Sequence, residues 1–288
     1  MTAIVMKELR TYFSQMTGYI FLALTILLTA LFFVMVNVFS LNPNYHHVLN
    51  STTILFFLII PTLTMRLFAD EVKNRTDQLL FTSPLAIWQI VLGKYLAAGA
   101  LFVGAMAVTM LFPVIIAQYG SLPVEQIIGA YLGYILMGLG FISIGLFVSI
   151  MTDNQIIAAV ATSGAIFFIF ILDGLAGGMP ADAVSSLVFI CFLILALAGI
   201  LYNSTKNIFA ALVLTVLGLA IAIAMFYIDR LMFDAIIPRM FRWLSVFSRF
   251  DSLTRGVLNL ADIVYYVTFP LVFIYLTVNA IEKRRWRQ

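Results

Sequence analysis

Eight long apolar segments divide the chain, and they constrain its fold more than any other feature. A helix needs about 20 apolar residues to cross the hydrocarbon core of a bilayer, with a usual range of about 17–25. Lipid offers no hydrogen bonds to the backbone, so spans of this length are expected to be helices. The second and fifth segments are the shortest. The segments are Gly18–Phe39, Ser51–Phe68, Ile87–Gln118, Gln126–Met151, Gln155–Leu172, Ala183–Tyr202, Ile208–Ile228 and Ile263–Ile281.

These segments predict an all-α fold, a polytopic transmembrane helical bundle with an N-terminal interfacial helix. Only 10% of the residues are charged and 63% are hydrophobic, whereas a soluble domain carries roughly 25% charged residues. The Gly174–Pro180 stretch leaves an alternative open, in which the fifth and sixth segments form a re-entrant hairpin. The predicted bundle therefore has about 6–8 spans.

The positions of the basic residues predict the orientation. With the N-terminus inside, eleven of the 16 Lys and Arg residues fall in inner segments, and basic residues concentrate in cytoplasmic loops. The other five share one outer loop with four Asp residues, so that loop is nearly neutral. Both termini are therefore expected to be cytoplasmic. The basic clusters flank spans and do not form the stripe of a nucleic-acid interface.

The N-terminal residues 1–16 have the pattern of an amphipathic helix. Apolar residues recur at steps of three and four, which gives a helix one apolar stripe. A basic amphipathic helix beside a span is expected to lie in the plane of the membrane interface. A basic flank with no role beyond topology is the alternative. The stripe consists of Val5, Leu9, Tyr12, Phe13 and Met16, and another face carries Lys7, Arg10 and Ser14.

The segment 68–84, which joins the second and third apolar segments on the inner side, carries the most informative motif. Its pattern predicts a short charged helix with apolar residues at its end, stopped near Pro84. Charged and apolar side chains exposed together on an inner loop indicate a docking surface. A solvated connecting loop is the alternative. The apolar residues are Leu79, Leu80 and Phe81, and Gly93-Lys94 follows in the third apolar segment.

This segment resembles the pattern F-x-x-E-x-x-x-G-T-x-x-x-L-L-x-x-x-P of ABC transporter permeases of the type-2 exporter class. Arg75 stands where that pattern has Gly. In that class the segment is the coupling helix, which contacts an ATPase subunit. The resemblance therefore implies charged contacts to an ATPase through Glu71 and Arg75, and an apolar anchor at Leu79 and Leu80. The matching residues are Phe68, Glu71, Thr76, Leu79, Leu80, Pro84, Gly93 and Lys94.

Both ends of the chain resemble the same class. Residues 6–13 are similar to its elbow helix, which implies interfacial positions for Lys7, Arg10, Tyr12 and Phe13. Residues 250–266, together with the basic tail, are similar to the gliding-motility branch of those permeases. The resemblance thus covers both ends and the first inner loop, whereas the middle of the chain matches in hydropathy alone.

Residues 229–262 form the predicted outer loop. Their apolar spacing indicates a helix on a membrane surface, interrupted near Pro238, and Gly256 permits a turn. We favour a lid that holds the last spans together. A role in substrate release or in binding an outer-face accessory protein is the alternative. The candidate residues of this loop are Asp251, Arg255, Gly256 and Asp262.

Signatures of other chemistry are missing from the sequence. It has no G-x-x-x-x-G-K-[ST] phosphate-binding loop, so ATP and Mg²⁺ are expected in a partner ATPase, with no cofactor in this chain. Ion-coupled transporters carry ionisable residues at membrane depth, and these apolar segments hold almost none. His46 and His47 are adjacent and would point about 100° apart on a helix, which makes them poor joint metal ligands. The single Cys191 excludes a disulfide within the chain.

The sequence and its resemblance together imply one permease domain, residues 1–288, that pairs with a second copy or a related permease. It would couple ATP hydrolysis by a separate ATPase to export or to mechanical work at a bacterial inner membrane. A non-ABC membrane protein, either an integral enzyme or a structural scaffold, is the alternative. An enzyme would need a motif such as H-E-x-x-H or G-x-S-x-G, and neither is present. The charged inner loop disfavours a scaffold.

Overall fold

Long helices follow one another along the chain, as the apolar segments predict. The computed structural model describes residues 1–76, 85–118, 123–257 and 259–285. These residues form helices and turns and contain no β-strand, which confirms the all-α fold class. The helices are α1 (Thr2–Ser14), α2 (Thr17–Phe33), α3 (His46–Thr52), α4 (Phe56–Thr64), α5 (Ala69–Lys73), α6 (Ile87–Thr109), α7 (Leu111–Ala117), α8 (Val124–Met151), α9 (Gln155–Gly178), α10 (Ala183–Thr205), α11 (Ile208–Ile228), α12 (Ile236–Leu244), α13 (Val246–Thr254) and α14 (Leu260–Arg285).

Eight helical stretches within the described residues are long and apolar enough to cross a membrane. The shortest has 21 residues, or about 30 Å at 1.5 Å per residue, which is the thickness of the hydrocarbon core. The chain is therefore a multi-pass membrane protein. The turn predicted at Gly174–Pro180 begins later than expected, because α9 continues through Gly174 to Gly178. With 24 residues in α9 and 23 in α10, both helices are long enough for full spans.

The second candidate span is composite and starts earlier than the sequence predicts. It runs over His46–Lys73, and a 3₁₀ turn at Thr53–Leu55 separates α3 from α4. Next to that turn, the Thr52 and Thr53 hydroxyls donate to backbone carbonyls three residues earlier. Such side-chain bonds compete with regular helical hydrogen bonding and mark irregular turns. His46 and His47, which precede the second apolar segment in the sequence, fall in the first turn of α3.

Helix α8 forms the core of one compact unit, which comprises residues 1–170 and 247–288. It packs against α4, α6 and α14, and small residues allow these close contacts. A Cβ atom at Gly138 would collide with the ring of Phe102, and one at Gly145 would collide with Thr64. Between membrane helices, association depends on such close packing, because lipid provides no hydrophobic driving force. The glycines of α8 therefore hold the unit together.

Residues 171–246 form a second compact unit. Helix α10 packs along α11, and α12 and a 3₁₀ turn at Arg230–Phe233 pack against α10. The helical run is interrupted at Asp234 and Ala235, just before Pro238, and α12 then includes Pro238 as its third residue. Proline is tolerated in a first helical turn, where its missing N–H would have no intrahelical partner. Helix α12 is amphipathic, with Ile237 buried and Arg239 and Arg242 exposed.

Candidate functional site

The N-terminal helix α1 lies against α6, the start of the third span. Its buried residues are Ile4, Glu8 and Tyr12, one turn apart from each other. Ile4 rests on Gly93, where a Cβ atom would lie 2.8 Å from Ile4 Cγ2. The absence of a side chain at Gly93 thus allows the two helices to approach closely. Gly93, the glycine of the Gly-Lys pair in the third span, therefore has a direct packing role.

The apolar stripe predicted on α1 is not its protein-facing side. Phe13 is 38% exposed and Met16 is 70% exposed, so much of the stripe is available to lipid. Tyr12 is the exception, because it is buried and its hydroxyl donates to Leu63 O over 2.9 Å. Burial raises the pKa of the Tyr12 phenol, and the nearby Glu8 carboxylate adds to this effect. Lys7 and Arg10 are exposed, as their predicted interfacial role requires.

Lys94 is the centre of a buried polar cluster. Its Nζ atom donates to Glu8 Oε1 at 3.0 Å, to Glu71 Oε1 at 2.9 Å and to Leu67 O at 2.7 Å. The side chain is only 2% exposed. A lysine ammonium has three donors, and all three are used here, which compensates the cost of burying the charge. We call Lys94, Glu8, Glu71 and the Leu67 carbonyl the Lys94 cluster.

The Lys94 cluster contains more negative than positive charge. Its two carboxylates face a single buried ammonium, and Lys7 Nζ lies 3.8 Å from Glu8 Oε1 and 3.6 Å from Glu71 Oε1. Lys7 is 59% exposed, so solvent screens its contribution. Among the described residues, Glu71 Oε2 is buried and has no hydrogen-bond partner. The cluster therefore retains one buried acceptor without a partner among the described residues.

The start of the segment 68–84 is anchored to the C-terminal end of α8. Ser149 Oγ accepts hydrogen bonds from the backbone N–H groups of Phe68 at 2.8 Å and Ala69 at 3.1 Å. Phe68 is fully buried, with the Lys94 ammonium 5.0 Å from its ring centroid. A fully buried side chain offers no surface to a partner, so Phe68 anchors the segment instead of docking an ATPase as predicted.

A polar pocket of about 300 Å³ lies beside the Lys94 cluster. On one side, Arg66 Nε donates to Gln155 Oε1 over 3.1 Å, and the Gln155 amide donates to Asp70. These bonds tie α5 to the first residue of α9, so they fix the pocket wall. The pocket is lined by Lys7, Glu8, Thr11, Tyr12, Gln15, Thr17, Arg66, Leu67, Asp70, Glu71, Asn74, Thr76 and Lys94.

Comparison with known protein families identifies the chain. The family model described as ABC-2 family transporter protein matches residues 36–185, which is just over half of the chain. The chain belongs to the ABC-2 family. This family consists of membrane subunits of ABC transporters, as the sequence motifs imply. A search of curated proteins and a search of solved structures found no match.

The matched range contains Glu71 and Lys94 but not α1, which supplies Glu8. The resemblance to ABC-2 permeases covers the N-terminal helix, the segment 68–84 and the start of the third span, each by its own motif. These motifs do not indicate that Glu8 and Lys94 form an ion pair, because the two residues are 86 positions apart. The one signal that the sequence offers is the position of Lys94 in the third turn of a span, since a charge within a span needs a partner.

The ABC-2 pattern has Gly at position 75, and the backbone there explains why. Arg75 has φ of +56°, in the left-handed region that favours glycine. Arg75 N donates to Val72 O and Thr76 N donates to Glu71 O, which together close a Schellman motif after α5. A turn that favours glycine is thus formed here with an arginine. Both Arg75 and Thr76 are exposed, so they remain candidates for docking.

The apolar part of the predicted docking surface falls at Leu79, Leu80 and Pro84, which lie outside the described residues. Its role therefore stays a prediction from the sequence. The described part, residues 68–76, divides into two functional groups. Phe68 and Glu71 face the protein, whereas Arg75 and Thr76 face outward.

At the opposite ends of the spans, the first compact unit holds a second ion-pair cluster. Asp262 accepts from Arg249 Nη1 and from Ser252 Oγ, both at 3.0 Å. The Arg249 guanidinium also lies 4.2 Å from the Tyr265 ring centroid. Asp262 was predicted in the outer loop, but α14 begins at Leu260 and includes it. These contacts fasten α13 to α14.

The remaining candidate residues of the outer loop form the turn after α13. Gly256 has φ of +79°, so the predicted turn at this glycine is confirmed. Asp251 and Arg255 form an exposed ion pair one helical turn apart. The buried side of α13 packs Phe250 and Leu253 against glycines of α8. The motif resembling the gliding-motility branch therefore has a packing role in this chain.

Proposed function

We propose that this chain is the permease subunit of an ABC exporter that is driven by a separate ATPase subunit. The ATPase binds ATP and Mg²⁺ and docks on the exposed part of residues 68–84, which acts as the coupling helix. The Lys94 cluster is the observation that supports this most strongly. It joins the elbow helix α1, residues 68–84 (the coupling segment) and the third span through one buried ammonium.

The geometry of the coupling segment suggests how force reaches the spans. Closure of the ATPase would push on the exposed residues after α5. Ser149 holds the start of this segment against α8, and Glu71 holds it against α6 through Lys94. A displacement of the segment would therefore move α6 and α8 together. Because α8 is the core of its unit, the movement would be transmitted to the helices packed around it.

Two permeases are expected in the working transporter, either two copies of this chain or this chain with a related one. The family resemblance supports this, because such permeases form the transport pathway between two subunits. We also assign the chain to the gliding-motility branch, on the resemblance of residues 250–266 and the basic tail. The machine would sit in a bacterial inner membrane and export a substrate or do mechanical work at the outer face.

We predict that both termini and the coupling segment are cytoplasmic, because eleven of the 16 basic residues then lie inside. In a Cys191→Ser background, a membrane-impermeant maleimide should label Ser40→Cys in intact cells but not Asn74→Cys. Both positions are exposed, so accessibility is matched. Asn74→Cys should become reactive when the cells are lysed. Labelling of Asn74→Cys in intact cells would reverse the topology.

The proposed function predicts that ATP hydrolysis needs a second polypeptide. The purified chain in nanodiscs should release no phosphate from ATP, because it lacks a phosphate-binding loop. Co-expression with the ATPase encoded nearest to its gene should yield a complex that co-purifies and hydrolyses ATP. A variant of the ATPase without its P-loop lysine is the control for contaminating activity. Turnover by the isolated chain would contradict the assignment, as would the failure of every neighbouring ATPase to bind.

A further inference from the structure

A second pocket, of about 530 Å³, lies at the ends of the first and third spans opposite to α1. This volume is within the range of about 300–1,000 Å³ that is usual for small-molecule sites. Its walls are apolar apart from two asparagine side chains, and no charged residue contributes to them. The lining residues are Phe33, Asn37, Val38, Leu41, Asn42, Pro43, Ile115 and Ile116.

The wall formed by the first span has an irregular backbone. After α2 the helix continues as a π-turn over Val34–Val38, in which Phe39 N donates to Val34 O over 2.9 Å. A π-turn adds one residue to the helical turn, so it changes the direction of the side chains that follow. Such turns are rare and often occur at functional sites. Here the π-turn contains Asn37 and Val38, and both line the pocket.

Asn37 provides an acceptor that the described part of the chain does not use. The residue is only 6% exposed, although it lies at the end of a span. Its Nδ2 group donates to Asn42 O, which holds the reversal of the chain after the span. Its Oδ1 atom is buried and has no hydrogen-bond partner among the described residues. Buried polar groups in proteins are nearly always paired, so this acceptor calls for a donor.

We propose that this pocket binds an uncharged amphipathic lipid from the adjacent leaflet. The lipid places a hydroxyl or amide N–H group against Asn37 Oδ1 and its chain along Phe33, Ile115 and Ile116. The apolar walls exclude a charged headgroup, which would lose its hydration without gaining a counter-charge. Val38 is 49% exposed and Leu41 is 88% exposed, so the pocket is open to a ligand that arrives along the helices. This site does not depend on the ATPase-coupled function.

Photolabelling of the chain in nanodiscs tests this site. The probe is hexadecanol with a diazirine in its chain, and the matched probe is its methyl ether, which lacks the donor. We expect the alcohol to label peptides containing residues 33–43 and 111–117 at least five-fold more strongly than the ether. Asn37→Leu should reduce labelling by the alcohol to the level of the ether. Asn50→Leu makes the same substitution at an exposed position near the same end of the second span, and it should change nothing.

A second variant separates the pocket from the acceptor. Val38→Trp fills the pocket without removing Asn37, so labelling by both probes should fall. Thermal unfolding of each variant shows whether it is folded. Equal labelling of the native chain by alcohol and ether overturns the proposed role of Asn37. Labelling that Val38→Trp leaves unchanged overturns the site itself. These two outcomes can still be measured if Asn37→Leu fails to fold, because they require only the native chain and Val38→Trp.

Discussion

The Lys94→Met variant is expected to lose coupled ATP hydrolysis and to unfold at a clearly lower temperature than the native chain. Methionine fills a similar volume, but it leaves the Glu8 and Glu71 carboxylates close together without their buried counter-charge. Removing one partner of a buried ion pair typically costs about 3–5 kcal/mol. Part of this cost will be relieved by contact with Lys7, whose Nζ is 3.6 Å from Glu71 Oε1.

Two comparisons make the Lys94 test specific. Lys283→Met removes a charge from an exposed residue at the C-terminal end of α14. We expect it to leave both the unfolding temperature and the coupled ATP hydrolysis unchanged. Lys94→Met combined with Glu8→Gln and Glu71→Gln removes the uncompensated charges, so it should recover most of the lost stability. The readouts are the thermal unfolding midpoint in detergent and the ATPase rate of the reconstituted complex. A Lys94→Met chain with native values for both would show that the cluster has no structural or coupling role.

The helical membrane fold could be predicted because it depends on segment length and composition. Each span must satisfy its own backbone hydrogen bonds, so a long apolar segment leaves little choice of structure. The irregular parts were less predictable. The 3₁₀ turn at Thr53–Leu55 and the π-turn at Val34–Val38 lie within segments that the sequence predicts as single spans. Their side-chain hydrogen bonds, as at Thr52 and Asn37, are decided by local geometry and not by apolar content.

The buried face of α1 shows a second limit of pattern-based prediction. The stripe of Val5, Leu9 and Phe13 is the most apolar face, and in a soluble protein it would face the core. In a membrane the apolar face can face lipid, and the polar Glu8 can turn inward when a partner such as Lys94 compensates it. The sequence contains both charges. Their pairing follows from the helix contact at Gly93, which only the three-dimensional structure reveals.

Pairing with Lys94 also changes the role assigned to Glu71. The family motif implied a contact to the ATPase, yet Glu71 Oε1 is bound to Lys94 within the chain. A substitution at Glu71 would disturb the Lys94 cluster and would not report on docking alone. Glu71 Oε2 is buried as well, so this side chain offers little surface to the ATPase. A clean test of docking therefore needs a residue farther along the segment.

Leu79→Asp is expected to abolish co-purification of the ATPase while leaving the permease folded and inserted. Position 79 follows the exposed Arg75 and Thr76 along the coupling segment, outside the candidate spans. If Leu79 fills an apolar groove of the ATPase, an aspartate there would be buried without a partner. Loss of such an interface anchor typically costs at least 2 kcal/mol, or roughly a 30-fold weaker Kd. The measurement is pull-down of the ATPase, with binding affinity determined in nanodiscs.

Leu79→Met and Leu85→Asp are the matched controls for this test. Leu79→Met keeps an apolar side chain of similar volume, so the ATPase should bind with nearly native affinity. Leu85→Asp introduces the same charge at an exposed leucine just before α6 and beyond the predicted docking surface, so it should also bind. If Leu79→Asp binds as well as both controls, residues 68–84 are only a connecting loop. If all three variants lose binding, the segment is sensitive to any change and Leu79 is not its anchor. Selective loss in Leu79→Asp, with an unchanged unfolding midpoint, would assign the apolar part of the coupling helix to the ATPase contact.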